Sequence, residues 1–225
     1  MTVSIITLFP EMFSGPFSES IIKRAVERKL LEIRLINLRD FGIGRHKTVD
    51  DRPYGGGMGM ILRVDVLKKA IEKSRIKGLK KSEERVILTD AAGKSFNQKM
   101  AQDFSKFRHL IIICGHYEGV DERIEEYIDV RISVGDFILT GGEIPAMLIV
   151  DSVVRNIKGV FKEGVTDLES FSEEGLLEEG QYTRPEVFEG KSVPKILLSG
   201  NHFEIKEWRK QKSLLKTKKL RPDLL

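Results

Sequence analysis

Through the first two-thirds of the chain, short runs of β-branched and aliphatic residues alternate with segments carrying a helical stripe, and this alternation restricts the fold more than any other feature. Val3–Phe9 is apolar and β-branched, as a strand buried on both faces is. Ser18–Lys29 follows with Ile21, Ile22, Ala25 and Val26 at the i, i+1, i+4, i+5 positions of one helix face. Glu32–Leu38 alternates Ile33 and Leu35 with Arg34 and Asn37, a second strand. Asp65–Arg75 is helical again, with Val66, Leu67, Ala70 and Ile71 on one side and lysines on the other. Arg85–Thr89 and His109–Cys114 are two further short strands, separated by a helical Asn97–Phe107. This order predicts an α/β fold, a mostly parallel sheet with helices on both faces, because parallel neighbours need a crossover long enough to hold a helix.

Two stretches break the pattern. Arg39–Met60 has no period and contains seven structure-breaking residues, Gly42, Gly44, Pro53, Gly55, Gly56, Gly57 and Gly59. So long a loop within a compact domain predicts a working loop or a disordered one. After Val160 the composition turns acidic: Lys162–Gly180 holds seven acids (Glu163, Asp167, Glu169, Glu173, Glu174, Glu178, Glu179) against one base, which reads as an exposed linker. His202–Arg221 then carries Lys206, Arg209, Lys210, Lys212, Lys216, Lys218, Lys219 and Arg221 against only Glu204 and Glu207, with Ile205, Trp208 and Leu215 as the apolar side of a short helix. The expected division is a domain over 1–161, a linker over 162–180 and a small helical domain over 181–225.

With 40% hydrophobic residues the chain can bury a real core. The net charge of +4 is too small to establish a polyanionic partner, but the basic segment is of the kind that contacts phosphates, or a solvated lysine-rich tail. A single cysteine, Cys114, excludes an intramolecular disulfide and a cysteine-rich zinc site and fits a reducing cytoplasm. The first residues lack the basic and long apolar regions of a signal peptide, and no apolar run approaches the ~20 residues of a membrane span.

Three segments could carry chemistry. In Ile132–Pro145, glycines at 135, 141 and 142 flank a short apolar run, so the backbone could approach a ligand closely, and a helix starting near Pro145 would add free N–H groups. An ordinary glycine-rich turn has the same composition. Neither a P-loop nor a G-x-G-x-x-G dinucleotide motif is present. Cys114–Arg123 follows a buried strand directly, where open α/β sheets bind ligands. Cys114 closes an apolar run and reads as buried and inert, and His116 as a structural or peripheral polar residue. Val49–Met60, with mixed charges, Tyr54 and four glycines, suits a loop that closes over a nucleotide, or a solvated glycine loop.

Taken in order, Leu8–Phe13, Asp50–Met60, Cys114–Arg123, Ser133–Met147, Asp151-Ser152-Val153 with Arg155, Tyr182–Val187 and Leu197–His202 resemble the bacterial tRNA (guanine-N1)-methyltransferase family over nearly the whole chain. The resemblance implies a trefoil knot at the C-terminal end of the α/β domain, a homodimer, and a small C-terminal helical domain that grips tRNA. It implies that S-adenosylmethionine lies bent in the knot against Gly115, Tyr117, Glu118, Gly119, Ser133, Val134, Gly135, Asp136, Phe137, Ile138, Leu139, Gly141, Gly142 and Pro145. The methyl group would go to N1 of the guanosine immediately 3′ of the anticodon. That nitrogen carries a proton and needs a general base, and the charge that develops on O6 suits a guanidinium. Arg155 matches the family's arginine for the second role.

For the base the sequence departs from the family's Asp-Ser-Phe. It reads Glu169-Ser170-Phe171, one residue further than usual from Gly175-Leu176-Leu177. Glu169 is the expected base and Asp167 its competitor. The sequence names no metal ligands and leaves open whether a divalent ion such as Mg²⁺ assists that carboxylate. The departure leaves open a knotted RNA methyltransferase with another target base, or an inactive RNA-binding relative. The chain ends at Leu225, earlier than many members of this family, which implies a trimmed C-terminal domain.

Overall fold

The structure, a computed structural model, describes residues 1–167, 169–172 and 175–225. It divides into two compact units, Met1–Phe161 and Lys162–Leu225.

The first unit is built on five parallel strands, β1 (Thr2–Thr7), β2 (Glu32–Asn37), β3 (Glu84–Ser95), β4 (His109–Cys114) and β5 (Val130–Ser133). Their order across the sheet is β2-β1-β4-β3-β5. Four helices of seven or more residues cover it: α1 (Ser20–Glu27), α2 (Val64–Ser74), α3 (Gln98–Phe104) and α4 (Glu143–Val154). Strand side chains alternate between two cores. Val3, Ile5, Leu110, Ile112 and Cys114 pack with residues of α1, α3 and α4 on one face. Ile6, Val86, Leu88, Ile111 and Ile113 pack with Val66, Leu67, Ala70 and Ile71 of α2 on the other. Helices on both faces are what the alternation predicts.

Two strands differ from the sequence reading. β3 runs through Ser95 rather than stopping at Thr89, with its register against β5 shifting between Thr89 and Lys94. Gly93 makes the extension fit, since a Cβ there would land on the Ile132 backbone. β5 itself escaped notice, because four residues interrupted by Arg131 carry no legible period. The irregular Arg39–Met60 stretch is closed at its base by a two-residue antiparallel pairing, Asp50 with Leu62 and Asp51 with Ile61.

In the second unit the acidic segment turns back on itself, with Phe171 N donating to Leu176 O at 2.8 Å. Helix α5 spans His202–Leu220, far longer than the short helix predicted. Asn201 caps it by accepting from Glu204 N at 3.3 Å, and its Lys-, Leu- and Glu-rich interior contains no breaker before Pro222. Leu177 and Glu178 are tied to it: Thr217 Oγ1 accepts from Leu177 N at 2.9 Å, Ser213 Oγ donates to Leu177 O, and Lys216 Nζ to Glu178 O. Glu173 and Glu174, named in the acidic run, lie outside the described residues.

At the amino ends of the central strands, His109 is fully buried between Ser4 Oγ (2.9 Å from Nε2) and Glu84 Oε2 (2.8 Å from Nδ1), and Arg75 donates to Glu84 Oε1 at 2.5 Å. A carboxylate only accepts, so Nδ1 carries the proton and Nε2 accepts from the serine hydroxyl. The residue types are those of a nucleophilic triad, but Ser4 has no exposed surface and the cluster serves as a structural clamp. Burial lowers the His109 pKa below its ordinary 6.5, outweighing the upward pull of Glu84. The unfolded chain therefore takes up the proton first, so His109's contribution to stability is complete above about pH 6.5 and is lost as pH falls toward the folded-state value. Urea unfolding should show a stability decline below pH 6.5 that is shallower in His109→Gln, and that variant should be weaker at pH 8, since each buried partner left unpaired costs about 1–3 kcal/mol.

Candidate active site

A cavity of the first unit opens at the carboxyl ends of β3, β4 and β5, where parallel α/β sheets place their ligands, and has a volume of about 300 Å³. That is at the lower end of the ~300–1,000 Å³ typical of small-molecule sites. One wall is the loop after β4, with Gly115, Tyr117, Glu118 and Gly119. Another is the segment after β5, with Ser133, Val134, Gly135, Phe137, Ile138, Leu139, Gly141 and Gly142, and Pro145 adds the first turn of α4. The two segments named separately from the sequence thus share one cavity. Asp136 alone among these residues is not on its wall.

Sequence reading missed a third wall, Leu88, Thr89, Asp90 and Ala91, together with His116 and Thr140. Leu88 and Thr89 look like any buried strand end, and only the neighbouring β5 turns the stretch into a wall. His116, expected to be a structural or peripheral polar residue, packs between Phe9 (tilted, ring centroids 5.1 Å apart) and Tyr117 (edge-on, 4.7 Å). Its Nδ1 is buried with no hydrogen-bond partner among the described residues.

Three glycines bring the walls together. Gly142 N donates to Gly115 O at 2.7 Å, and a Cβ on Gly142 would land on Thr89 Oγ1 and lie 2.6 Å from Gly115 N. One on Gly115 would lie 2.9 Å from Thr89 O, and one on Gly141 2.6 Å from His116 Nδ1. Behind them Glu143, 2% exposed, accepts from Thr7 Oγ1 at 2.7 Å. Desolvation, reinforced by Glu143, pushes the Cys114 thiol well above its ordinary range, so it is the inert residue that the apolar run predicted. The glycine loop at 55–59 reaches the same region, since Glu118 N donates to Met60 O at 3.0 Å and a Cβ on Gly59 would clash with the Glu118 side chain. Tyr54 and Met58 on that loop are almost wholly exposed.

The residues expected to carry the reaction stand elsewhere in the chain. Arg155 is the C-cap of α4, its guanidinium 5.0 Å over the Phe161 ring. Asp167 and Glu169 belong to the second unit, on a turn in which Ser172 Oγ donates to both backbone carbonyls, at 2.7 and 2.6 Å. Glu169 is half-buried and Asp167 exposed. Among the described residues no group of three or more His, Cys, Asp or Glu is placed to hold a metal ion, and no helix is long and apolar enough to cross a membrane.

A parallel α/β sheet with a loop-walled cavity at its carboxyl edge belongs to the class of α/β proteins that bind small ligands at that edge. Comparison narrows the class. Residues 1–225 match the tRNA (Guanine-1)-methyltransferase TrmD family. Among curated proteins, the tRNA (guanine-N(1)-)-methyltransferases of Dictyoglomus turgidum and Desulforudis audaxviator are each 52% identical, and that of Clostridium botulinum (strain Kyoto / Type A2) is 50% identical. In each case the alignment takes in all of this chain and 90–91% of the relative. The chain belongs to this family of tRNA-methylating enzymes.

Gly142→Ala should abolish ligand binding in the cavity and lower stability by about 1–3 kcal/mol, as overpacking does. Gly15→Ala, where a Cβ meets nothing within 4 Å, should leave both unchanged. Calorimetric titration and thermal melts of the two variants check this.

Proposed function

We propose that the chain transfers a methyl group from S-adenosylmethionine to N1 of the guanosine immediately 3′ of the anticodon in tRNA, acting as a homodimer in the cytoplasm. The observation that carries this reading is the cavity at the carboxyl ends of β3, β4 and β5, whose two loops are drawn together by Gly115, Gly141 and Gly142 and which carries both apolar and polar residues suited to a small organic ligand. The buried, unpartnered His116 Nδ1 adds a polar group that such a ligand could satisfy. The family resemblance adds that the segments around this cavity are threaded as a trefoil knot.

The sulfonium donor supplies an electrophilic methyl group. The protein's share is alignment, proton removal from N1 and stabilisation of charge on O6. Arg155 takes the last role. Glu169 takes the proton, with Asp167 as the competing base on the same turn that Ser172 ties. A divalent ion such as Mg²⁺ would act on that carboxylate. For the dimer, the apolar side chains Phe137, Ile138, Ile144 and Leu148 stand exposed on and beside α4, the kind of surface a second copy covers. For tRNA, a groove on α5 lined by Trp208, Tyr182, Leu215, Lys212, Lys216 and Lys219 offers stacking surfaces beside phosphate-binding ammonium groups.

Incubating the protein with labelled S-adenosylmethionine and unmodified tRNA carrying guanosine after the anticodon should give N1-methylguanosine. Absence of product would overturn the reading, and parallel reactions with EDTA test the metal. Glu169→Gln should lower kcat by about 10²–10⁴-fold, as loss of a general base does, with Asp167→Asn near wild type. The reverse order would move the base to Asp167. Trp208→Ala should raise KM for tRNA about tenfold, as loss of a stacking platform worth ~1–3 kcal/mol does, with donor affinity unchanged.

A further inference from the structure

The three walls of the cavity are joined by one side chain outside it. Arg131 lies in β5, immediately before the wall residues Ile132 and Ser133. Its NH1 donates to Asp90 Oδ2 at 2.8 Å, and Asp90 stands on the β3 wall. Its NH2 donates to Glu122 Oε2 at 2.9 Å, and its Nε to Glu125. Both glutamates lie in the 3-10 turn Glu122–Glu126 that continues the loop after β4.

Exposure separates the strong contact from the weak ones. The Arg131 and Asp90 side chains are only 16% and 23% exposed, whereas Glu122 and Glu125 are 81% and 52% exposed and their pairing is screened by water. Asp90 Oδ1 accepts from Ala92 N at 2.9 Å, so both carboxylate oxygens are committed. That fixes the stretch where β3 slips its register against β5, between Thr89 and Lys94. Arginine suits this position because its planar fork offers donors in three directions, while a lysine ammonium is a single point. Without the guanidinium, three carboxylates would face one another at the join and separate.

Resting on the reading of the cavity as the donor site, we propose that Arg131 is a positioning residue: it sets the spacing of the three walls, and thereby the affinity for S-adenosylmethionine, without touching the reacting atoms. Loss of Arg131 then shows in donor binding and spares the chemical step.

The test compares wild type, Arg131→Leu, Arg131→Lys and Arg131→Leu/Asp90→Asn by calorimetric titration with S-adenosylmethionine, by kcat and KM for both substrates, and by thermal melts without ligand. Arg131→Leu should weaken donor binding about tenfold or more, the scale on which displaced binding groups act, with kcat at saturating donor and KM for tRNA within about twofold of wild type. Arg131→Lys, which retains only the Asp90 pairing, should fall between, and removing the Asp90 charge should recover part of the loss. Donor affinity equal to wild type in both Arg131→Leu and Arg131→Lys would overturn the proposal, as would a parallel fall in kcat and melting temperature without a change in donor affinity. If Arg131→Leu does not fold, the Lys variant carries the same test. Failure of the wild type itself to bind S-adenosylmethionine would sink the reading of the cavity instead, which keeps the two failures apart.

Discussion

The contact between Gly142 and the ends of β3 and β4 is the joint on which the first unit depends. The Gly142 amide meets the Gly115 carbonyl at 2.7 Å, and Thr89 Oγ1 lies where a Cβ would stand. A closer approach of two backbones is hardly available to a residue with a side chain. This contact seats the N-terminus of α4, places Glu143 in the interior against Thr7, and brings the segment after β5 alongside the loop after β4. The cavity is the space left between them.

The pairing of β3 with β4 runs from Glu84 opposite His109 to Thr89 opposite Cys114. Its first pair belongs to the buried Ser4–His109–Glu84 cluster, to which the exposed Arg75 adds a hydrogen bond, and its last pair to the glycine joint. The two ends work differently. The amino end is clamped by hydrogen-bonded polar side chains, while the carboxyl end is assembled from main chain and loops, with the Arg131 guanidinium drawing the loops together from outside. The loops of the carboxyl end leave the cavity between them, whereas the amino-end clamp fills its own space with side chains.

The acidic and basic stretches that look opposed in the sequence are partly joined in the second unit. Leu177 and Glu178 are bonded to Ser213, Lys216 and Thr217 of α5, and Glu179 pairs with Arg209. The acidic run therefore neutralises part of the helix, while Lys212 and Lys219 line a groove beside Trp208 and Tyr182.

Much of the first unit was legible from periodicity alone. His109–Cys114 is a strand with the bounds expected of it, and Val66, Leu67, Ala70 and Ile71 are the buried stripe of α2, because a buried face must repeat with the period of its element. The same logic marked Cys114 as core. The glycine segments at 115–119 and 134–142 were visible as unusual backbone, but the spacing of either one alone did not distinguish a ligand cradle from a turn. The family resemblance added the chemistry, which no periodicity contains. What only the tertiary structure decided is the meeting of distant residues: Thr89 and Asp90 as a wall, His116 with an unpartnered buried nitrogen, Arg131 as the link among three segments. Local sequence encodes which face of an element is apolar, since that follows from neighbours three or four residues away. It does not encode which strand end will lie beside which loop, because that is set by the order of strands across the sheet.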